Sequence, residues 1–459
     1  MGWTRRDFFR AAGAAVCCSA VVGRGAGVVA VATFRADITP PLGHPLLGGW
    51  IKPVRSVADP LEARGLLLLG FGRPVLFVAL DWCELRNDAY DYWRDALARA
   101  AGTTRERVIL ACVHQHDAPY ADLTAQRLMD QVGLGGRMFS RDVFEAAVDR
   151  VASAVRDARL RPQPITHFGI GKGRVEKVAC NRRVELPGQP PRFNRYSFTR
   201  DATVRNAPEG EIDPWLRMLT FWAGNRVVAA MSCYAVHPMT YYGRGEVSAD
   251  FPGLARRLFE RRHPGVFSVH FSGCSGDVVA ARYNDGTPAS RRRLASRLAT
   301  AMDQALERTR KVPLAEVSFR CVPVRLKPET DGDLAPDRLW QTLRSRSAPY
   351  VRRCHAALGL SWQRRCSRGQ PIDMPVVDFG EAVLVLLPAE AFVAFQLAAQ
   401  RLAPDRLVLT PGYGECAPGY IPTERARKEG FVREHSYCWV APGAEGTLLE
   451  ALQTALSRG

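Results

Sequence analysis

Three unbroken apolar runs in this chain each lead to a side chain that can bind a metal. Val227 to Met231 runs toward His237-Pro238, Val108 to Val113 runs straight into His114-Gln115-His116-Asp117, and Ala382 to Leu387 ends in Pro388-Ala389-Glu390. A short continuous apolar run bounded by turn signals reads as a strand buried on both faces. At His237 the following proline stops the strand ladder. In α/β proteins the crevice beyond such strand ends is the usual place for chemistry. A lone histidine there is more often a satisfied structural residue. Three strands that deliver two histidines, one histidine and one glutamate are a stronger pattern. Two histidines and a carboxylate are a common ligand set for a catalytic zinc, with one position left for water.

The 459 residues suffice for one large domain or two medium ones, and 47% of them are apolar, enough for a sizeable core. The net charge of +17 suggests nucleic acid at first sight, but only six of the 63 basic residues are lysine and the arginines are mixed with acids. There is no basic stripe with interleaved aromatics, so we expect no nucleic-acid partner. Peripheral contact with an anionic membrane surface is compatible with the charge. Thr4-Arg5-Arg6-Asp7-Phe8-Phe9-Arg10, followed by a small-residue apolar run from Ala11 to Gly23, reads as a twin-arginine export signal over residues 1–30. It places the protein in the periplasm or outside the cell. Ten cysteines lie beyond that signal with no paired CxxC spacing, and residues such as Cys112 and Cys233 sit in apolar runs as small buried hydrophobes.

Residues 31–459 read as one large α/β domain, a mixed β-sheet core flanked by helices on both faces. Phe34 to Gly49 is rich in proline and glycine and reads as an irregular lead-in. Strands are expected over Gly65 to Gly70 and Val75 to Leu80, and a helix over Asp88 to Ala101, before the first histidine strand. Tyr120 to Phe139 reads as a loop, Arg141 to Leu160 as an amphipathic helix, and Glu185 to Pro214 as a lid or surface excursion. A hairpin over Leu216 to Ala230, a helix from Gly253, a strand over Val266 to Phe271 and a helix over Ala289 to Arg308 follow. Val317 to Leu326 alternates like an edge strand. Asp331 to Arg365 is charged and helical, an appended layer.

Several short motifs then occur in an order that resembles the catalytic domain of the neutral/alkaline non-lysosomal ceramidases. These are zinc amidases of N-acylated sphingosine. The pieces are Ala36-Asp37-Ile38-Thr39-Pro40-Pro41, His114-Gln115-His116, Asn181-Arg182, Ala235-Val236-His237-Pro238 with Ser248-Ala249-Asp250, Gly276-Asp277, Pro388-Ala389-Glu390 and Gly419-Tyr420-Ile421. Each is unspecific alone; their order over most of the chain is not. The resemblance implies a Zn2+ site made by His114, His237, Glu390 and Tyr420, and a lipid or other small N-acyl substrate. His116, two residues from His114 and on the same side of a strand, is then the acid/base group, one strand repeat or roughly 6–7 Å further along. Arg182 holds a carbonyl oxygen or a developing negative charge. Asp250 and Asp277 support the ligands or order the loops, with helix caps or turn acceptors as the alternative.

The chain departs from that pattern in places. Val279 stands where ceramidases have a serine after Gly-Asp. Phe431 and Val432 stand where they have a second tyrosine, and neither donates a hydrogen bond from its side chain. Tyr437 is the nearby substitute. The C-terminal β-domain of the long family form is not expected in a chain ending at Gly459. Three readings stay open: a ceramidase-like amidase, a zinc hydrolase of another amide or ester such as a modified glycan, and a metal-holding surface binding protein.

Overall fold

The computed structural model describes residues 28–314 and 317–457, so the twin-arginine stretch lies outside the described residues. The α/β core is built from three mixed sheets. The first contains β1 (Ala30–Asp37), β2 (Glu62–Leu69), β3 (Val75–Leu80), β4 (Val108–Cys112) and β5 (Gln163–Pro164), in the order β4-β3-β2-β1-β5. The second contains β6 (His167–Arg174), β7 (Trp215–Ala223), β8 (Arg226–Tyr234), β9 (Phe267–Ser272) and β10 (Arg310–Pro313), in the order β9-β8-β7-β6-β10. The third contains β11 (Ser318–Val324), β12 (Ile372–Asp378), β13 (Ala382–Val385) and β14 (Leu407–Leu409), in that order.

Each sheet is antiparallel except for one parallel pair at an edge: β3 with β4, β8 with β9, and β13 with β14. A parallel pair needs a crossover, and here each crossover carries a helix: Asp88–Ala101, Asp250–Arg262 and Val393–Leu402. Three strand–helix–strand units result. Within a unit both strands end on the same side, so every sheet offers two neighbouring C-terminal strand ends.

Those strands are largely apolar because both faces are covered, β9 being the exception with Ser268, His270 and Ser272, of which His270 meets Ser232 Oγ of β8 at 2.9 Å. Ile109, Ala111 and Val113 share one buried cluster with Ala229, Met231 and Cys233 of the second sheet and Ala382, Leu384 and Leu386 of the third. The alternate residues of the first and third sheets, among them Leu110, Cys112, Val383 and Val385, enter a second cluster on the other face. Beyond the strands the chains are tied directly. Cys112 N donates to Tyr413 O at 3.0 Å, Gly412 N to Ser272 O at 2.9 Å, and Ser272 Oγ to Val113 O at 2.8 Å.

Some sequence expectations give way. Phe34–Asp37 is the end of a strand, since β1 pairs with β2 over eight residues from Ala30↔Leu69 to Asp37↔Glu62. The prolines and glycines that suggested an irregular lead-in begin only after it. The expected loop from Tyr120 holds a helix, Leu123–Asp130, whose first turn is capped by Asp122 accepting from Ala125 N at 2.9 Å. Asp331 to Arg365 is no appended layer. Its helix Tyr350–Ser367 is packed into the body, and Ser361 bridges Asn87 Nδ2 at 2.8 Å and Asp122 Oδ1 at 2.9 Å. The stretch Glu185 to Pro214 is braced within itself by the buried Arg195, which donates to the carbonyls of Val204, Ala207 and Pro208, and is tied to the body by Phe193 N donating to Glu434 Oε2 at 3.1 Å and Arg282 donating to Asn206 O at 2.7 Å. No described helix is long and apolar enough to cross a membrane.

Strand β6 shows why glycine is needed at one sheet–helix contact. A Cβ on Gly171 would sit 2.0 Å from Ala305 O, and one on Gly173 1.9 Å from Ala301 O, both on the helix Pro288–Glu307. Gly171→Ala and Gly173→Ala should each lower the thermal midpoint, at a cost of about 1–3 kcal/mol from overpacking. Gly446→Ala, with no neighbour within 4 Å of its Cβ, should leave the midpoint unchanged or raise it. Unchanged melting of both β6 variants would contradict this packing.

Candidate metal centre

The ends of the three units meet at one point. His114 Nε2 lies 3.0 Å from His237 Nε2, and Glu390 Oε2 lies 3.5 Å from the first and 3.4 Å from the second. All three side chains are buried. A tetrahedral zinc site with arms of roughly 2.0–2.1 Å has edges of roughly 3.3–3.4 Å, close to this triangle. The far nitrogens are committed: His114 Nδ1 faces Cys83 O at 2.9 Å and His237 Nδ1 faces Ser275 O at 2.9 Å. A carbonyl accepts only, so each Nδ1 carries its proton and each Nε2 turns a lone pair inward. Two facing lone pairs repel, and Glu390 Oε2 is buried with no hydrogen-bond partner among the described residues. A cation held by these three atoms removes both costs. Without one, burial lowers the His114 pKa but Glu390 outweighs it, so the ring is held above the ordinary imidazole range.

The backbone is strained where it has to turn these side chains inward. His114 (φ 75°), Ala389 (φ 54°) and Tyr413 (φ 57°) are left-handed non-glycine residues just beyond β4, β13 and β14. Each costs roughly 1–2 kcal/mol relative to ordinary backbone, and such strain concentrates at functional sites. Gly276 matters for the opposite reason: a Cβ there would lie 2.2 Å from Glu390 O.

Two residues behind the ligands escaped the sequence reading. Tyr413 stacks on His114 with ring centroids 4.2 Å apart, and its hydroxyl meets Ser275 Oγ at 2.7 Å and His237 Nδ1 at 3.2 Å. Glu84 lies 3.8 Å from His114 Nδ1, accepts from Tyr437 at 2.7 Å and from Arg86 at 3.2 Å, and is raised by burial to a pKa of about 7. Both stand just past the end of a buried strand, the same signal that picked out the histidines.

The other expected residues divide. His116 is not one strand repeat beyond His114, because β4 stops at Cys112 and the bend at His114 swings the chain around. Its ring is 5.2 Å from those of both His114 and His237. Cys83, His114 and His116 form a second group whose ligand atoms lie within 4.8 Å of one another. Arg182 is buried, donating to Gly276 O at 3.0 Å and to the Tyr420 hydroxyl at 3.2 Å. Tyr420 is register-paired with Glu390 in a short parallel bridge. Asp250 is away from the triangle. It accepts from Thr240 N at 2.8 Å and Thr240 Oγ1 at 2.6 Å, and so orders the loop after His237. Asp277, raised to about 6 by burial, accepts from Val393 N and Asn181 Nδ2, both at 2.8 Å, and ties the Glu390 turn to the Arg182 segment. Tyr437 does not replace the missing tyrosine as a free donor, since its hydroxyl is taken up by Glu84, Arg86 and Tyr120.

The triangle opens into a cleft of about 240 Å³ lined by Glu84, His116, Tyr242, His355, Tyr420 and Tyr437, among others. Metal analysis should give about one divalent ion per chain. His114→Ala or His237→Ala should abolish binding, Glu390→Gln should weaken it, and Tyr413→Phe should weaken it by roughly 10–100-fold. Full occupancy in both histidine variants would contradict the ligand set.

No family model matches the sequence, and no curated protein matches it either. Solved structures do match. A ceramidase complexed with C2 shares 17% identity, with a TM-score of 0.69 over 94% of this chain and 75% of its own. The neutral ceramidase from Pseudomonas aeruginosa shares 18%, with a TM-score of 0.68 over 94% of this chain and 74% of its own. At such identity the likeness speaks for the fold: this chain has the α/β fold of the neutral ceramidases, the family its motifs resemble.

Proposed function

We propose that this protein is a zinc-dependent hydrolase of N-acyl amides, with His114, His237, Glu390 and Tyr420 as the metal ligands. The observation that carries this is the buried triangle of two lone pairs and an unpartnered carboxylate oxygen at the floor of a cleft. Imidazole and carboxylate ligands suit zinc, which when bound acidifies a water and polarises a carbonyl. His116 lies beside the triangle and is kept neutral by burial, so it can take a proton from water. The water oxygen forms the new C–O bond, the C–N bond breaks, and His116 returns the proton to the leaving amine. Arg182, already hydrogen-bonded to Tyr420, supports the carbonyl oxygen as negative charge grows on it.

The resemblance extends the substrate to ceramide-like lipids, while the chemistry itself requires only an amide or a related ester. Export through the twin-arginine route, after folding around the metal, and peripheral contact with a membrane surface belong to the same proposal. The reading of a metal-holding binding protein draws on one observation: the Tyr437 hydroxyl is spent on Glu84 and Arg86 instead of facing the centre.

His116 separates ligand from catalyst. His116→Ala should keep zinc near the wild-type level while kcat on an N-acyl substrate falls by roughly 10²–10⁴. Loss of zinc together with activity would make His116 a ligand in the group with Cys83. Unchanged hydrolysis would leave it structural. A wild-type protein that, loaded with zinc, cleaves no amide or ester in a fluorogenic panel would support the binding-protein reading.

A further inference from the structure

Four tyrosines line the cleft: Tyr120, Tyr242, Tyr420 and Tyr437. Three have their hydroxyls engaged. Tyr120 and Tyr437 bond to each other, Tyr437 also donates to Glu84 at 2.7 Å, and Tyr420 accepts from Arg182 at 3.2 Å. The Tyr242 hydroxyl has no hydrogen-bond partner among the described residues. Burial raises its pKa and the nearby Arg182 charge opposes the rise, so the phenol keeps its proton at ordinary pH and lies within the field of Arg182. It is a donor with nothing in the protein to receive its proton.

Its place in the cleft suits a ligand. The ring stands at the mouth, 38% exposed, with its centroid 4.9 Å from that of His116. His116 in turn lies 5.2 Å from the rings of both histidines of the triangle. The His116 Nδ1 faces His114 O at 3.3 Å, so that nitrogen carries the proton and Nε2 is left to accept one. An acyl group close enough to the triangle for His116 to serve its attacking water therefore sits beside Tyr242.

The backbone on either side of Tyr242 is held. Tyr241 O accepts from Arg291 at 2.9 Å, and the same guanidinium lies 3.7 Å over the Tyr241 ring. Arg291 also donates to Thr240 Oγ1 at 2.8 Å and pairs with Asp250 at 3.3 Å. On the far side Gly243 N donates to Asp117 Oδ1 at 2.9 Å, with Gly243 at φ 87°. A donor fixed in this way needs little reorganisation when negative charge appears in front of it, which is what makes such donors effective in catalysis.

We propose that Tyr242 is a catalytic residue whose hydroxyl donates a hydrogen bond to the acyl oxygen of the substrate, together with Arg182. This rests on the hydrolase reading above and adds a donor to it. The proton stays on the phenol throughout, and no covalent bond is made or broken at Tyr242. The hydrogen bond strengthens as the acyl oxygen gains negative charge, so it lowers the barrier more than it tightens binding of the amide.

Tyr242→Phe keeps the ring and removes only the hydroxyl. Zinc content and thermal midpoint should match the wild type, because that hydroxyl holds nothing in the fold. Calorimetric titration with butyrate, a carboxylate of the kind that amide hydrolysis releases, reads the hydrogen bond without turnover. The zinc-loaded wild type should bind butyrate about ten- to a hundredfold more tightly than the variant, as expected for a bond to a charged oxygen. Equal affinities, or no binding by the wild type, would overturn the assignment. Lost zinc or a lowered midpoint would make Tyr242 a structural residue instead. With an N-acyl anilide, kcat should fall by about 10²–10³ in the variant with KM little changed. A raised KM at unchanged kcat would contradict the role. If the wild type cleaves no anilide, the hydrolase reading fails, and the butyrate titration still decides whether Tyr242 donates.

Discussion

Two imidazole lone pairs facing each other at 3.0 Å, with a buried carboxylate oxygen beside them, form an arrangement that is stable only around positive charge. Much of the fold can be understood as what it takes to hold that arrangement. Each imidazole is locked by a backbone carbonyl on its far nitrogen, so neither ring can rotate its lone pair away. The carbonyls come from the turns after β3 and β9, the partner strands of the two histidine units. Each parallel pair therefore supplies a ligand from one strand and, for the histidines, its orienting group from the turn beyond a neighbouring strand.

The support behind the ligands is polar, with Glu84, Arg86 and Tyr120 buried and Tyr437 half-buried. Glu84, Arg86, Tyr120 and Tyr437 form a connected network along one side of the cleft. Such a network contributes little net stability, because desolvating its charges costs about what their pairing returns. Its value is positional, since moving any member leaves a buried donor or acceptor unpaired. The left-handed residues His114, Ala389 and Tyr413 are tolerated on the same terms, as strain fixed by the well-packed strands from which they emerge.

The ligands were readable because their signal is local. An unbroken apolar run followed by a histidine or glutamate needs no knowledge of the partner strand, and the same rule points to Glu84 once it is applied evenly. The helices Asp88–Ala101 and Arg141–Arg159 were equally local. What the sequence left open depends on distant partners. Division of the core into three sheets is set by pairings over long separations. His116 was misplaced because the bend at His114 is imposed by contacts from other units. The segment Asp331 to Arg365 looked peripheral because it is charged, yet Arg365 is mostly buried against Asp91 at 2.9 Å and Arg353 donates to Leu343 O at 2.9 Å. Charge marks a surface only until its partners are known.

X-ray absorption at the zinc edge of the metal-loaded full chain tests the central claim most directly. The multiple-scattering pattern counts imidazoles, and the first-shell fit separates sulfur from nitrogen and oxygen. The geometry here predicts two imidazoles, from His114 and His237, with oxygen ligands completing the site and no sulfur. A site with a thiolate, which would place the metal among Cys83, His114 and His116, or one with three imidazoles, would contradict it.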